Sequence, residues 1–241
     1  MIHRDYTRFT ERLEPLNSSR TRIETVGVVD GHPIHRISLK DGLGIKKSIL
    51  ITGGIHGDEP AGPVSVLRFL ERDNTHLLGR FKFLILPCIN PYGYVHNTRE
   101  NRQGVDLNRS FEEAGIVEVD IVKETVKGQR FDFCIDFHED WEATGVYLYE
   151  GQRDGQWIGP EITRQIEKIG PIDGEVGESD LPIADGVFEV DPAWGNAGLA
   201  PYLFHFNADH VIICETPTSW SLNQRTSAHL TALDTALEIL G

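Results

Sequence analysis

His56 and Glu59 stand three residues apart in Gly53-Gly54-Ile55-His56-Gly57-Asp58-Glu59, directly behind an apolar run. His138 follows at once on another such run, Phe131 to Phe137, and Glu215 ends a third, behind Val211-Ile212-Ile213-Cys214. Two neutral imidazoles and one carboxylate, His56, Glu59 and His138, form a donor set that catalytic zinc uses, with a fourth position open to water. Zinc held in this way brings water towards a pKa of ~7 and polarises a carbonyl, which suits hydrolysis of an amide. Alone, a His-x-x-Glu pair is a short motif that chance supplies readily. It gains weight because polar groups at the carboxyl ends of several strands converge where open α/β sheets place their sites, and His56, Asn90, His138 and Glu215 all lie at such ends.

The remaining polar groups fit the same chemistry. Glu215 is an expensive charge to leave unpaired at the end of an apolar strand. Near a metal it would take a proton from water and return it to the leaving amine; the structural alternative is a buried salt bridge. Asp106-Leu107-Asn108-Arg109 lies in a stretch that also holds Arg99 and Arg102. Guanidinium grips carboxylate bidentately, so a substrate with a negatively charged end is implied, and Arg99 could instead stabilise an oxyanion. Asp136, two residues before His138, shares its face of the strand, either as a partner of that imidazole or simply buried beside the sheet. Glu139 and Asp140 next to His138 raise the option of a second metal, or form a solvated acidic turn.

Four apolar runs have strand length and composition and would carry these groups: Ser48 to Thr52, Phe83 to Leu86, Phe131 to Phe137 and Val211 to Cys214. Helical spacing recurs between them, over Ala61 to Arg72, Val117 to Lys127, Pro160 to Ile169 and Ser227 to Leu240. Val26 to Asp30 and Ile34 to Leu39 flank Asp30-Gly31, a hairpin signal, and Gly145 to Glu150 reads as a further strand. The alternation predicts an α/β fold, a three-layer α/β/α sandwich with a mixed, mostly parallel central sheet. Residues 171 to 201 exceed the usual loop length and have no assigned element. The 241 residues read as a single domain, with residues 1–20 a polar, peripheral N-terminal segment that could form a short helix.

The 37 acidic against 23 basic residues give a formal charge of −14, which repels a phosphate backbone and an anionic membrane surface. Neither nucleic acid nor a membrane is therefore expected as a partner. The N-terminal residues lack a signal-type apolar region, and no stretch approaches the roughly 18 apolar residues of a span, so a cytoplasmic location is expected. Cys88, Cys134 and Cys214 each fall in or beside an apolar run, which predicts free, buried thiols with no disulfide and no cysteine ligand.

Taken together, GGIHGDEPAG, NPYG, RENRQGVDLNRSF, DFHED and CETP, in that order over roughly residues 47 to 217, resemble the zinc carboxypeptidase superfamily, especially small bacterial members such as murein peptide amidases. The resemblance implies one Zn2+ ion on His56, Glu59 and His138, with Glu215 as general base and Arg99 polarising the carbonyl. It also implies that Asn108 with Arg109 holds the terminal carboxylate of a small peptide or N-acyl amino acid. The tyrosine that family carboxypeptidases place over the substrate has no secure counterpart, at Tyr202 or elsewhere. The same superfamily contains the aspartoacylase and succinylglutamate desuccinylase group, which cleaves N-acyl amino acids with a similar motif set. A catalytically silent metal- or peptide-binding module is the remaining alternative, against which the intact Glu215 argues.

Overall fold

A computed structural model describes residues 4–42, 44, 46–174 and 181–241. Its centre is a nine-stranded mixed sheet in the order β1-β2-β4-β3-β5-β9-β6-β8-β7. The strands are β1 (Thr21–Val29), β2 (His32–Leu39), β3 (Lys47–Gly53), β4 (Phe81–Leu86), β5 (Phe133–Asp140), β6 (Tyr147–Gln152), β7 (Pro182–Ala184), β8 (Val187–Glu189) and β9 (His210–Pro217). The middle of the sheet, β4-β3-β5-β9, is parallel throughout, whereas β1-β2, β2-β4, β9-β6 and β8-β7 pair antiparallel.

Central strands covered on both sides need apolar residues at every position rather than at alternate ones. Ile49 and Ile51 of β3 accordingly point into one core, and Leu50 between them points into the other. The first core is closed by α1 (Tyr6–Leu13), α2 (Ala61–Glu71), α5 (Gly159–Ile166) and α7 (Leu222–Leu240). The second is closed by α4 (Val117–Val126) and α6 (Leu199–Phe206), whereas α3 (Pro91–His96), which follows β4, packs Tyr94 into the first core. The α/β/α layering is as expected from sequence.

Several boundaries differ from the periodicity, and each has a local cause. The last helix begins five residues earlier than the leucine repeat, because Ser221 and Gln224 form a reciprocal capping box. The α6 helix was not anticipated; its Pro201 lies in the first turn, where a missing N–H costs nothing. Residues 171–201 contain the short pair β7-β8, a 3-10 turn at Pro192–Trp194 and the start of α6. The N-terminal segment is not peripheral: Tyr6, Phe9 and Leu13, at i, i+3 and i+7, are buried, and the Tyr6 hydroxyl donates to the Pro33 carbonyl at 2.7 Å. Arg12 pairs with Glu71 of α2 at 2.7 Å, and the Arg4 guanidinium donates to the carbonyls of Gly57 at 2.5 Å and Asp58 at 2.8 Å. Cys88, Cys134 and Cys214 are free and buried. Among the described residues, no helix is long and apolar enough to cross a membrane.

Candidate metal centre

His56 and Glu59 lie in the loop between β3 and α2, where the chain leaves the carboxyl end of a central strand. Gly54 takes φ 64°, a left-handed conformation that turns the chain out of the sheet at little steric cost to glycine. Gly57 has no room for a side chain, since a Cβ there would come within 2.0 Å of the Gly93 carbonyl carbon at the start of α3. Asn90 fixes that wall: its Oδ1 accepts the Gly93 N–H at 2.8 Å as helix cap, and its Nδ2 donates to the Arg99 carbonyl at 3.2 Å. Asn90 is thus a buried support for the loop and not a group of the site itself.

His138 arrives from the neighbouring strand β5. The ligand atoms of His56, Glu59 and His138 lie within 4.8 Å of one another, and all three residues are buried. Glu59 Oε1 is 2.6 Å from His56 Nδ1, and Glu59 Oε2 is 3.0 Å from His138 Nδ1. The far side of each ring is also held, His56 Nε2 by Asp106 Oδ1 at 3.2 Å and His138 Nε2 by Asp136 Oδ2 at 2.9 Å. Thr52 in turn donates to Asp136 Oδ1 at 2.7 Å. A carboxylate on Nε2–H leaves the Nδ1 lone pair as the coordinating atom, the arrangement that orients metal-bound histidines.

Titration follows from this packing. Burial alone would lower the pKa of both histidines, but Glu59 and Asp106 raise that of His56, and Asp136, Glu59 and Glu215 carry His138 well above its usual value. Burial likewise opposes ionisation of Glu59, yet the two imidazoles beside it hold its carboxyl down to about 2. Two imidazoles and a carboxylate, each with its outer contacts satisfied, fit zinc by ligand type and by spacing.

Glu215 on β9 stands in register with His138 on β5, so their Cα atoms are roughly 4.8 Å apart and their side chains share a face. Its carboxylate has no hydrogen-bond partner among the described residues. Burial raises its pKa to about 7 against the pull of His138. It opens on a cavity of about 370 Å³ lined also by Asn108, Arg109, Tyr147, Tyr149, Trp194 and Ile213.

Asn108 Oδ1 accepts the Leu199 N–H at 2.8 Å, an assignment that leaves its Nδ2 hydrogens as donors. Among the described residues, Arg109 is tied only through Nη1 to the Asn108 carbonyl at 2.9 Å. Arg99 lies beside the triad, with Nε on Asp106 at 3.0 Å and Nη1 3.6 Å from Glu59 Oε1.

A sequence model of zinc carboxypeptidases matches residues 6–147. The chain belongs to the zinc carboxypeptidase family. Among curated relatives it is 30% identical over 122 residues to carboxypeptidase SOL1 of Arabidopsis thaliana, covering 43% of this chain and 23% of that one. It is 28% identical over 138 residues to carboxypeptidase E of Caenorhabditis elegans, covering 46% of this chain and 29% of that one. The match thus spans roughly a quarter of these relatives' length. In fold it resembles a Shewanella amazonensis protein assigned as a metallopeptidase, with a TM-score of 0.87, 24% identity and coverage of 99% of this chain and 94% of that one. It also resembles a metallo-carboxypeptidase of Burkholderia cenocepacia, with a TM-score of 0.76, 18% identity and coverage of 96% and 68%.

Other residues fall elsewhere than the sequence suggested. Arg102 turns away to pair with Asp30 at 2.9 Å. Tyr202 packs its ring on Phe111 and Phe206 and does not line the cavity; Tyr147, in register with Glu215, does. Glu139 is consumed by Arg225 and by the Ala61 N–H, and Asp140 accepts the Tyr147 hydroxyl at 2.8 Å, so the two carboxylates do not form a second metal site. Asp106 was visible as part of a motif, but its contact to His56 depends on a 3-10 turn at Leu107–Arg109 that the sequence does not announce.

Proposed function

We propose that this member of the zinc carboxypeptidase family is a metallocarboxypeptidase that hydrolyses a C-terminal peptide bond, or a related amide with a nearby carboxylate. His56, Glu59 and His138 would hold the zinc ion. Bound there, zinc supplies Lewis acidity for the attack of water on a carbonyl. Glu215 accepts the proton that the attacking water loses and passes it to the departing nitrogen. Arg99, anchored by Asp106, offers its remaining N–H groups to the oxygen on which negative charge develops. Asn108 Nδ2 and the Arg109 guanidinium receive the substrate's carboxylate. Tyr147, Tyr149, Trp194 and Ile213 wall the space for the terminal side chain, and that lining favours an apolar one.

The observation that carries this reading is the cavity itself, which unites an unpartnered carboxylate, the arginine-amide pair and an apolar wall beside the triad. Two measurements test it: elemental analysis of the purified protein, and release of free amino acids from a peptide library run beside N-acyl amino acids. One zinc per chain with release of C-terminal residues is expected. Release of the acyl group alone, with peptides untouched, would move the enzyme to the N-acyl amino acid hydrolases. For Arg109→Ala the expected change is a higher KM on substrates with a free α-carboxylate, with little change on their amides; equal loss on both would remove Arg109 from its role.

A further inference from the structure

The last helix, α7, carries two polar residues that the reaction does not use, Arg225 and His229. They are four apart, hence on one face, and both are buried, at 5% and 0% exposure. The next turns of that face are Ala232, Leu233, Ala236 and Leu237, ordinary core residues. A buried guanidinium and a buried imidazole in the first two turns therefore call for a reason.

Both lead to one peptide group. His229 Nε2 donates to the His138 carbonyl at 3.0 Å, and the Thr216 hydroxyl donates to the same oxygen at 3.3 Å. Ser65 Oγ, 3.1 Å from His229 Nδ1, holds the ring in that tautomer, and the ring stacks on Phe137 with centroids 4.6 Å apart. The N–H of the same peptide group, on Glu139, donates to Glu59 Oε2 at 3.0 Å. The Glu139 side chain is clamped between Arg225 and the Ala61 N–H at the head of α2. The peptide joining His138 to Glu139 is thus gripped at its oxygen by His229, while its hydrogen grips Glu59.

We propose that His229 and Arg225 are positioning residues of the metal centre. They fix the plane of the His138–Glu139 peptide and, through its N–H, the rotamer of Glu59. This rests on the assignment of His56, Glu59 and His138 as the metal site. A carbonyl that accepts a hydrogen bond makes its own N–H a stronger donor, so His229 supports Glu59 through the peptide as well as by geometry. The C-terminal helix, far along the chain from the ligand loop, then becomes part of what sets metal affinity.

The test is zinc affinity of the metal-free full chain, by competition with a chelator of known affinity, together with the melting temperature of the same metal-free samples. His229→Phe keeps the stack on Phe137 and removes the donor; zinc should bind about 10- to 100-fold more weakly, the usual effect of losing a partner behind the ligands. His229→Gln, whose amide nitrogen can reach the same oxygen, should recover most of that loss, and Arg225→Met should weaken binding in the same direction. Ser65→Ala, a mild change that frees the tautomer, should cost several-fold and decides the matter if His229→Phe does not fold. A merely structural pair would lower the melting temperature and leave zinc affinity within about twofold of the unaltered protein, which overturns the proposal. His56→Ala separates the two levels: if it binds zinc as the unaltered protein does, the triad assignment fails and the positioning role falls with it. If His56→Ala loses zinc while His229→Phe and Ser65→Ala keep it, the positioning role alone fails.

Discussion

In the mechanism proposed above, Glu215→Gln isolates the proton-transfer step. The Glu215 carboxylate has no hydrogen-bond partner among the described residues, and its backbone is held in β9 between β5 and β6. An amide of the same shape therefore breaks no internal contact and strands no partner. None of the three ligand residues is hydrogen-bonded to it, so zinc affinity should stay within a few-fold; removing a negative charge that raises His138 acts, if anything, in favour of deprotonated imidazole. What disappears is the acceptor for the proton of water. A positioned general base is worth about 10²- to 10⁴-fold, or ~3–5.5 kcal/mol of barrier at ~1.36 kcal/mol per tenfold, so kcat should fall by that factor with KM little changed. The pH profile supplies a second signature. Burial raises Glu215 to about 7 in the metal-free protein, and a bound cation draws it lower. A base must be ionised to act, so kcat/KM of the unaltered enzyme should climb with pH along a limb at or below about 7, and that limb should be missing from the variant. Steady-state kinetics on zinc-loaded protein, with metal content measured on the same sample, gives both results. A variant that keeps its zinc and turns over within tenfold of the unaltered enzyme would refute the role given to Glu215.

At the proposed site zinc would displace protons from His56 and His138, whose pKa values are raised in the metal-free protein, so affinity should increase with pH above 6.5 with release of up to two protons per ion. Chelator competition across pH 6.5 to 8 checks this, and a flat profile would contradict it. His229 behaves in the opposite sense: burial lowers its pKa to about 4, below the ordinary imidazole value near 6.5, so the unfolded chain binds the proton first and stability drops as pH falls from 6.5 towards 4. Stability of the metal-free protein should therefore fall between pH 8 and pH 5, and urea unfolding should show His229→Gln to be less acid-sensitive over that range. Gly57→Ala would drive a Cβ into the Gly93 backbone, so the ligand loop or α3 must shift. A cost of about 1–3 kcal/mol in unfolding free energy is expected together with weaker zinc binding, and unchanged values of both would mean that the loop is less tightly packed than described.

Much of the architecture could be read from composition along the chain. Strands β3, β4, β5 and β9 are buried on both faces, which forces unbroken apolar runs, and α2 and α4 repeat apolar residues at helical spacing. Short elements were less legible, because their stability comes from caps and neighbours rather than from a repeating pattern. The six-residue α3 depends on Pro91 at its first position and the Asn90 cap, and β7 and β8 are three residues each. For α1 a short helix was expected, but the polar residues between Tyr6, Phe9 and Leu13 masked the apolar stripe that packs it on the core.

His56, Glu59, His138 and Glu215 were legible for a chemical reason: imidazole and carboxylate are costly at the ends of apolar strands, so their presence there signals a use. That signal names residues and the ion they suit, and it stops there. Which oxygen of Glu59 faces which ring, that Glu139 belongs to Arg225 rather than to a second metal, and that Tyr147 rather than Tyr202 walls the cavity were decided by tertiary structure. The reason is range. Arg225 lies 86 positions from Glu139 and His229 lies 91 from His138, and pairings across such separations follow from how the helices pack on the sheet, which no local pattern of residues encodes.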